Sequence, residues 1–235
     1  MELTPTGKLR IGVASAPSAS PLFVVKDVDG TARGVTVDLG NALAKELGVE
    51  AEFMVAPNTG ELTDALEAGR IDVSFMPVDD ERKKRIDFGP VYFQVESTYM
   101  VTAASGIKTV DEVDRAGVRV VGIANTTTIR AAARTLKNTT VIATPSIGDA
   151  MAMMTGGKAD AFALSRDSLP PFVAQLPGSR MVEGGFQFTG VAIAVPRGRP
   201  EALASVTAFL QQAKQSGTVR RAFDRAGLSH LDVAP

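Results

Sequence analysis

A pattern of three apolar runs separated by two helical segments occurs twice in this sequence, and it constrains the fold more than any other feature. In the first half the apolar runs are KLRIGVA (8–14), VEAEFMV (49–55) and IDVSFM (71–76). This βαβαβ alternation is typical of a parallel sheet covered by helices. The second half repeats it with apolar runs at 118–124, 140–143 and 159–164. We therefore predict an α/β fold with two Rossmann-like lobes.

The ends of the predicted helices carry residues that commonly cap helices. The first helix is predicted over 38–47, where the apolar residues form one stripe and Gly48 ends it. Thr59 is predicted to be the N-cap of the second helix, which ends at Gly69. In the second half, helices are predicted over 125–136 and 147–155.

A short phrase repeats at the same place in both patterns. LEAGRIDV (66–73) and MTGGKADA (154–161) each contain a helix end, a glycine, a basic residue and then a strand that opens with an apolar residue and aspartate. The repeat indicates that the two lobes are similar. Because Asp72 and Asp160 begin strands next to helix ends, we expect them to accept backbone amides rather than to form a catalytic pair.

The chain is predicted to cross between the lobes twice. Residues 89–104 and 186–195 are extended in pattern, and an amphipathic helix over 200–217 follows the second of them. Two such connectors form a two-strand hinge. The predicted lobes comprise residues 1–96 with 188–235, and residues 97–187.

Composition excludes several classes of function. A formal net charge of −1 argues against nucleic-acid binding. Cysteine is absent and His230 is the only histidine, so Cys-His and Ser-His catalysis and thiolate metal sites are excluded. No dinucleotide or P-loop pattern occurs. We therefore expect no catalytic residues, no metal and no cofactor.

Two segments have the chemistry of anion-binding sites. Arg82 follows the strand IDVSFM by one turn, at the carboxyl end of a strand, where open α/β sheets bind their ligands. A guanidinium there can hold a carboxylate with two parallel hydrogen bonds. Residues 125–128 (NTTT) lie between a strand and a helix, where free amides and hydroxyl groups favour an anion. Simple N-capping, which needs one of these residues, is the alternative.

Six phrases give the sequence a family resemblance over about residues 8–228. The phrases are KLRIGV (8–13), DGTARGVTVDLGNALAKELG (29–48), ALEAGRIDVSFMPVDDERKKRIDFGPVY (65–92), VGIANTTT (121–128), GGKADAFAL (156–164) and GVAIAVPRG (190–198). With them the sequence resembles the family 3 extracellular solute-binding proteins of ABC importers, which have the type 2 periplasmic-binding fold and bind polar amino acids. The resemblance implies a periplasmic, monomeric receptor that closes around a small anionic or zwitterionic solute and presents it to the transporter permease.

The resemblance carries the family's binding residues over only in part. Its carboxylate-binding arginine matches Arg82, and its threonine in the second lobe matches Thr128, beside Thr127. Several other positions depart from the family pattern. Pro77, which follows Met76, replaces a hydroxyl residue, and Ser165 replaces the acid that receives an α-amino group. Asn58 or Thr59 stands where the family has a stacking aromatic. The segment SAPSASP (15–21) lacks a tyrosine that is common there, which leaves Phe23 to line the wall of the binding site.

These departures favour carboxylates without an amino group, or dicarboxylates if Arg166 lies near. A buried ammonium without a carboxylate partner costs several kcal/mol. An amino acid therefore fits poorly unless Glu96 or Asp167 replaces the lost acid.

Two other functions remain open: a dehydratase of prephenate-like acids, using Glu96, Asp167 or Glu183, and a sensor domain of a receptor kinase. The N-terminal residues show no basic segment followed by an apolar stretch. The chain is then either cytosolic or an exported protein without its leader, and the resemblance favours the periplasm.

Overall fold

The computed structural model describes residues 2–15 and 20–235, which form two compact units. Unit 1 comprises residues 1–94 and 190–235, and unit 2 comprises residues 95–189. The predicted α/β architecture is confirmed, with strands and helices alternating in both units. Among the described residues, no helix combines the length and the apolar composition that crossing a bilayer requires.

Strands and helices succeed one another along the described part of the chain. The strands are β1 (Lys8–Ala14), β2 (Val25–Lys26), β3 (Ala32–Arg33), β4 (Glu50–Ala56), β5 (Val73–Pro77), β6 (Ile86–Val101), β7 (Arg119–Ile123), β8 (Thr140–Thr144), β9 (Ala161–Ser165), β10 (Arg180–Met181) and β11 (Gln187–Pro196). The helices are α1 (Val35–Glu46), α2 (Thr59–Glu67), α3 (Asp80–Lys83), α4 (Thr127–Thr135), α5 (Ile147–Thr155), α6 (Pro170–Gln175), α7 (Pro200–Gln215) and α8 (Thr218–Arg225).

Unit 1 contains a sheet in the order β4–β1–β5–β11. Strand β1 runs parallel to β4 and β5, and β11 runs antiparallel to β5. Helix α2 buries Leu62, Ala65 and Leu66 in a cluster that also contains Met76. This packing fixes the start of α2 close to the end of β5.

Unit 2 contains a sheet in the order β6–β9–β7–β8. Strand β7 runs parallel to β8 and β9, whereas β6 runs antiparallel to β9. Successive residues of β7 enter different apolar clusters, because Val120 packs with Ala132 of α4 and Val121 with Met151 of α5. A strand that is buried on both faces has a nearly continuous apolar sequence, and β7 has such a sequence.

Four predicted helix boundaries were wrong, and one of them is the start of α4, which begins at Thr127 rather than Asn125 because Thr126 is its N-cap. Helix α1 begins at Val35 rather than Asp38, because Gly34 adopts a φ of 138° at the N-cap. The N-cap of α2 is Asn58 rather than Thr59, since the Asn58 side chain accepts from the Glu61 amide at 2.9 Å. Helix α7 ends at Gln215, and a further helix, α8, follows Gly217, whose φ is 74°.

The structural role predicted for Asp72 and Asp160 is confirmed. The Arg10 amide donates to Asp72 Oδ2 at 2.9 Å, and its guanidinium donates to Oδ1 at 2.6 Å. In unit 2 the amide and guanidinium of Arg119 each donate to the Asp160 carboxylate at 2.9 Å. The unit 1 pair joins β1 to the residue that precedes β5, and the unit 2 pair joins β7 to the residue that precedes β9. We refer to these pairs as the unit 1 staple and the unit 2 staple.

Candidate functional site

Arg82 lies in a single helical turn, α3, that follows β5. Asp79 caps this turn, and its carboxylate accepts from the amides of Glu81 at 2.9 Å and Arg82 at 3.2 Å. The turn directs the Arg82 side chain inward, and the residue is only 5% exposed. Burying a guanidinium costs free energy unless it forms hydrogen bonds, so we expect the protein to supply partners for Arg82.

Two neighbours fix the plane of the Arg82 guanidinium. Its Nη1 donates to the Pro77 carbonyl at 2.9 Å, and its Nη2 donates to Thr59 Oγ1 at 2.6 Å. Pro77 has no amide hydrogen to offer a solute, and its carbonyl holds the arginine instead. Thr59 stands where the resemblance places a stacking aromatic, and its contact is with the arginine.

The basic residues around Arg82 lie at the surface. Lys83 and Lys84 are 55% and 67% exposed and pair with Asp80 and Glu81, so both are solvated. Arg85 is 42% exposed and pairs with carboxylates of α2. Arg82 is therefore the inward-facing member of this basic run.

Two other residues predicted for the site lie in the interior of unit 1. Met76 is fully buried, and its sulfur is 3.9 Å from Thr63 Oγ1. Phe23 is 6% exposed, and its carbonyl accepts from Thr36 Oγ1 at 2.7 Å. Among the described residues no hydrogen bond joins either one to Arg82. The segment 15–21, which lacks the tyrosine common in the family, consists largely of residues 16–19, and these lie outside the described residues.

The N-terminus of α4 supplies the candidate site of unit 2. Asn125 precedes it in the left-handed conformation, with a φ of 62°. Thr126 is the N-cap, and its Oγ1 accepts from the Ile129 amide at 3.2 Å. Capping thus accounts for Thr126 alone, while Thr127 and Thr128 form the first turn and are each 9% exposed.

The serine hydroxyl groups beside this turn were only partly anticipated from the sequence. Ser97 Oγ lies 3.2 Å from Thr128 Oγ1, and Ser97 is the register partner of Ser165 across β6 and β9. Ser165 Oγ donates to Ser168 Oγ at 2.9 Å. Sequence reasoning identified Ser165 but missed Ser97 and Ser168, because strand pairing brings them together over long sequence distances. We call Ser97, Thr127, Thr128, Ser165 and Ser168 the hydroxyl cluster.

Glu96 and Arg166 form an ion pair beside this cluster. The Arg166 Nη2 donates to Glu96 Oε1 at 3.3 Å and to the Gly184 carbonyl at 2.8 Å, and Nε donates to Glu96 Oε2. A Cβ on Gly185 would stand 2.5 Å from the Glu96 carboxylate, so glycine is required for the pair to pack there. The charges of Glu96 and Arg166 therefore compensate each other.

The acids named for a catalytic alternative are placed as follows. Glu96 is bound to Arg166, Asp167 accepts from Ser168 Oγ at 3.4 Å, and Glu183 is exposed. In the part of the chain that the structure describes, no three His, Cys, Asp or Glu side chains lie close enough together to hold a metal ion.

Comparison with known sequences identifies one family over most of the chain. Residues 10–227 match the sequence profile of the bacterial extracellular solute-binding proteins, family 3. The glutamine-binding protein GlnH of a Bacillus subtilis ABC transporter is 25% identical over 201 residues, which cover 83% of this chain and 73% of GlnH. A membrane-bound lytic murein transglycosylase F from Maricaulis maris is 40% identical over 79 residues, but these cover 33% of this chain and only 17% of the enzyme.

Solved structures of amino-acid-binding proteins share the fold. A mutant of the arginine-binding protein ArgBP from T. maritima superposes with a TM-score of 0.78 at 27% identity and covers 95% of this chain and 96% of its own. The ancestral amino acid-binding protein AncCDT-1, described as a precursor of cyclohexadienyl dehydratase, gives a TM-score of 0.77 at 29% identity over 95% of this chain and 97% of its own. The predicted type 2 periplasmic-binding fold is thereby confirmed.

Proposed function

This chain belongs to the bacterial extracellular solute-binding proteins, family 3, and on that premise we propose that it is the receptor of an ABC importer for a small carboxylate-bearing solute. It acts in the periplasm, binds without chemical conversion and delivers the solute to a membrane permease. The relatives that cover most of this chain are binding proteins, which favours binding over catalysis.

The buried Arg82 guanidinium is the observation that carries this proposal. A planar guanidinium presents parallel N–H donors that match the two oxygens of a carboxylate. The bonds from Nη1 to Pro77 and from Nη2 to Thr59 set its orientation before any solute arrives. Less conformational entropy is then lost on binding, so the affinity is higher than for a mobile surface arginine.

The first turn of α4 is proposed to be an anion-binding site of unit 2. Amides at a helix N-terminus and the hydroxyl groups of Thr127 and Thr128 donate hydrogen bonds to solute oxygens. Both threonines are buried to about the same extent, each 9% exposed.

Arg82→Met tests the proposal, with Arg85→Met as its matched control. Both changes remove a guanidinium from the same short segment, but Arg85 pairs with the surface carboxylates of α2. Wild-type protein is first screened by thermal shift against amino acids and against mono- and dicarboxylic acids, because a bound solute raises the melting temperature. Affinity for the best solute is then measured by calorimetry.

We expect Arg82→Met to lose at least about a hundredfold in affinity, since a hydrogen-bonded charge pair in a buried site contributes a few kcal/mol. Arg85→Met should bind like wild type. Arg82→Lys keeps the charge without the planar fork and should give an intermediate loss, which separates unfolding from lost recognition. Unchanged affinity in folded Arg82→Met protein would contradict the proposed site.

A further inference from the structure

A loop between β5 and β6, residues 78–85, carries Arg82 on helix α3, and we call it the Arg82 loop. At its start the loop rests on β11, because the Val78 amide donates to the Gly190 carbonyl at 2.8 Å. Asp79 caps the N-terminal end of α3. The C-terminal end needs partners from outside, since the last carbonyls of a helix have none within it.

Arg197, at the end of β11, supplies such a partner. Its Nη1 donates to the Lys84 carbonyl and lies 3.5 Å from the Lys83 carbonyl oxygen. Arginine side chains commonly bond the last carbonyls of a helix in this way. Arg197 belongs to the phrase GVAIAVPRG (190–198), 113 residues after Lys84, so strand pairing and not local sequence brings the two together.

The turn that bears Arg197 is itself tied to the start of β6. The Gly198 amide donates to Asp87 Oδ2 at 2.9 Å, and Asp87 follows the Arg82 loop by two residues. All of these residues belong to unit 1. The Arg197 guanidinium therefore reaches α3 from a restrained turn, and β11 holds the Arg82 loop near both of its ends.

The position of α3 sets the direction of the Arg82 guanidinium. The two acceptors of that guanidinium, the Pro77 carbonyl and Thr59 Oγ1, both lie outside α3. A shift of α3 would move Arg82 relative to both, and hydrogen bonds weaken steeply as their geometry departs from the ideal. Arg85 also ties this segment to α2, but it does so through exposed carboxylates and not through the backbone of the loop.

Building on the function proposed above, we propose that Arg197 is a positioning residue of the solute site. It holds the C-terminal end of α3, and through α3 it keeps the Arg82 guanidinium aligned for a carboxylate. Loss of this bond should therefore weaken recognition although every donor of Arg82 is still present.

Arg197→Met tests this role, with Arg199→Met as its matched control. Both changes remove an exposed arginine from the same turn, and the Arg199 side chain forms no capping hydrogen bond. NMR of the solute-free, ¹⁵N-labelled protein follows the Nη protons of Arg82, which Arg82→Lys assigns by removing them. These protons should exchange about fivefold faster in Arg197→Met, because their hydrogen bonds are weaker, and at the wild-type rate in Arg199→Met.

Affinity is then measured by calorimetry with the amino acid or carboxylic acid that most raises the melting temperature in the thermal-shift screen. Arg197→Met should bind this probe about fivefold more weakly, and Arg197→Lys, which keeps a donor for the Lys84 carbonyl, should restore most of the loss. In an Arg82→Lys background, Arg197→Met should cost less than about twofold, because lysine has no planar fork to align. Arg197→Ala is measured in parallel, so that the result rests on two variants.

Wild-type exchange and wild-type affinity in Arg197→Met would overturn the positioning role and leave the receptor function standing. An equal loss of affinity in Arg199→Met would also overturn it, because the loss of positive charge would then explain the effect. If Arg82→Met binds the probe as tightly as wild type does, or if no compound in the screen binds, the proposed function fails and the role of Arg197 fails with it.

Discussion

The two staples offer a controlled comparison of the same ion pair at two depths. In the unit 1 staple the side chains of Arg10 and Asp72 are 23% and 4% exposed. In the unit 2 staple those of Arg119 and Asp160 are 40% and 24% exposed. Each aspartate also accepts from the backbone amide of its arginine at 2.9 Å, so the bonding pattern is the same and burial is the main difference.

Arg10→Met removes the guanidinium and keeps a side chain of similar length. The buried Asp72 carboxylate then loses two of three hydrogen bonds and its counter-charge. Breaking a buried pair by removing one partner typically costs 3–5 kcal/mol, and the retained amide bond leads us to expect about 2–3 kcal/mol. Arg119→Met should cost less than half as much, since solvent already screens that pair.

Hydrogen exchange measures the two losses separately, because it reports local opening of each unit. In Arg10→Met the amides of β1 and β5 should exchange faster, while those of β7 and β9 stay protected. In Arg119→Met the pattern should reverse with a smaller change. Equal losses, or a larger loss in Arg119→Met, would refute burial as the factor that sets the cost.

Two further predictions concern Thr59 and acid stability. Thr59→Val keeps the shape but removes the acceptor of the Arg82 Nη2 bond, so solute affinity should fall by about tenfold, while Thr59→Ser should retain it; equal affinities would show that Thr59 does not position Arg82. The side-chain hydrogen bond from Arg119 lowers the pKa of Asp160. The stability that Asp160 contributes is therefore present above its ordinary pKa and is lost as the pH falls through the lower pKa of the folded state. In Asp160→Asn the free energy of unfolding of unit 2 should consequently depend less on pH in the acid range.

The fold was predictable because local signals agree with the tertiary arrangement. Strand β1 occupies Lys8–Ala14 and helix α5 occupies Ile147–Thr155, as their apolar patterns predict. Helix starts were less predictable, because several residues near one another can cap. Asn58 and Thr59 are both good N-caps, and only the geometry gives the cap to Asn58 and leaves Thr59 free to bond Arg82.

Candidate binding residues could be proposed from the sequence where a single segment contains them and not where strand pairing assembles them. Arg82 and Pro77 lie five residues apart, so both could be assigned to the site from one short segment of sequence. Ser97 meets Ser165 only through the register of β6 and β9. No local pattern in the sequence marks Ser97 as the hydroxyl beside Thr128.

The net charge near the hydroxyl cluster of unit 2 depends on the same kind of long-range pairing. From sequence, Glu96 could replace a missing acid and Arg166 could add a cation, and these two interpretations imply opposite solutes. The structure joins the two residues across 70 positions of sequence, so neither charge acts alone. The hydroxyl cluster is not free of charge either, because Ser168 Oγ lies 3.4 Å from the Asp167 carboxylate. The sequence therefore identifies the charged residues of unit 2 but not the charge that they leave available, because only the tertiary arrangement pairs Glu96 with Arg166.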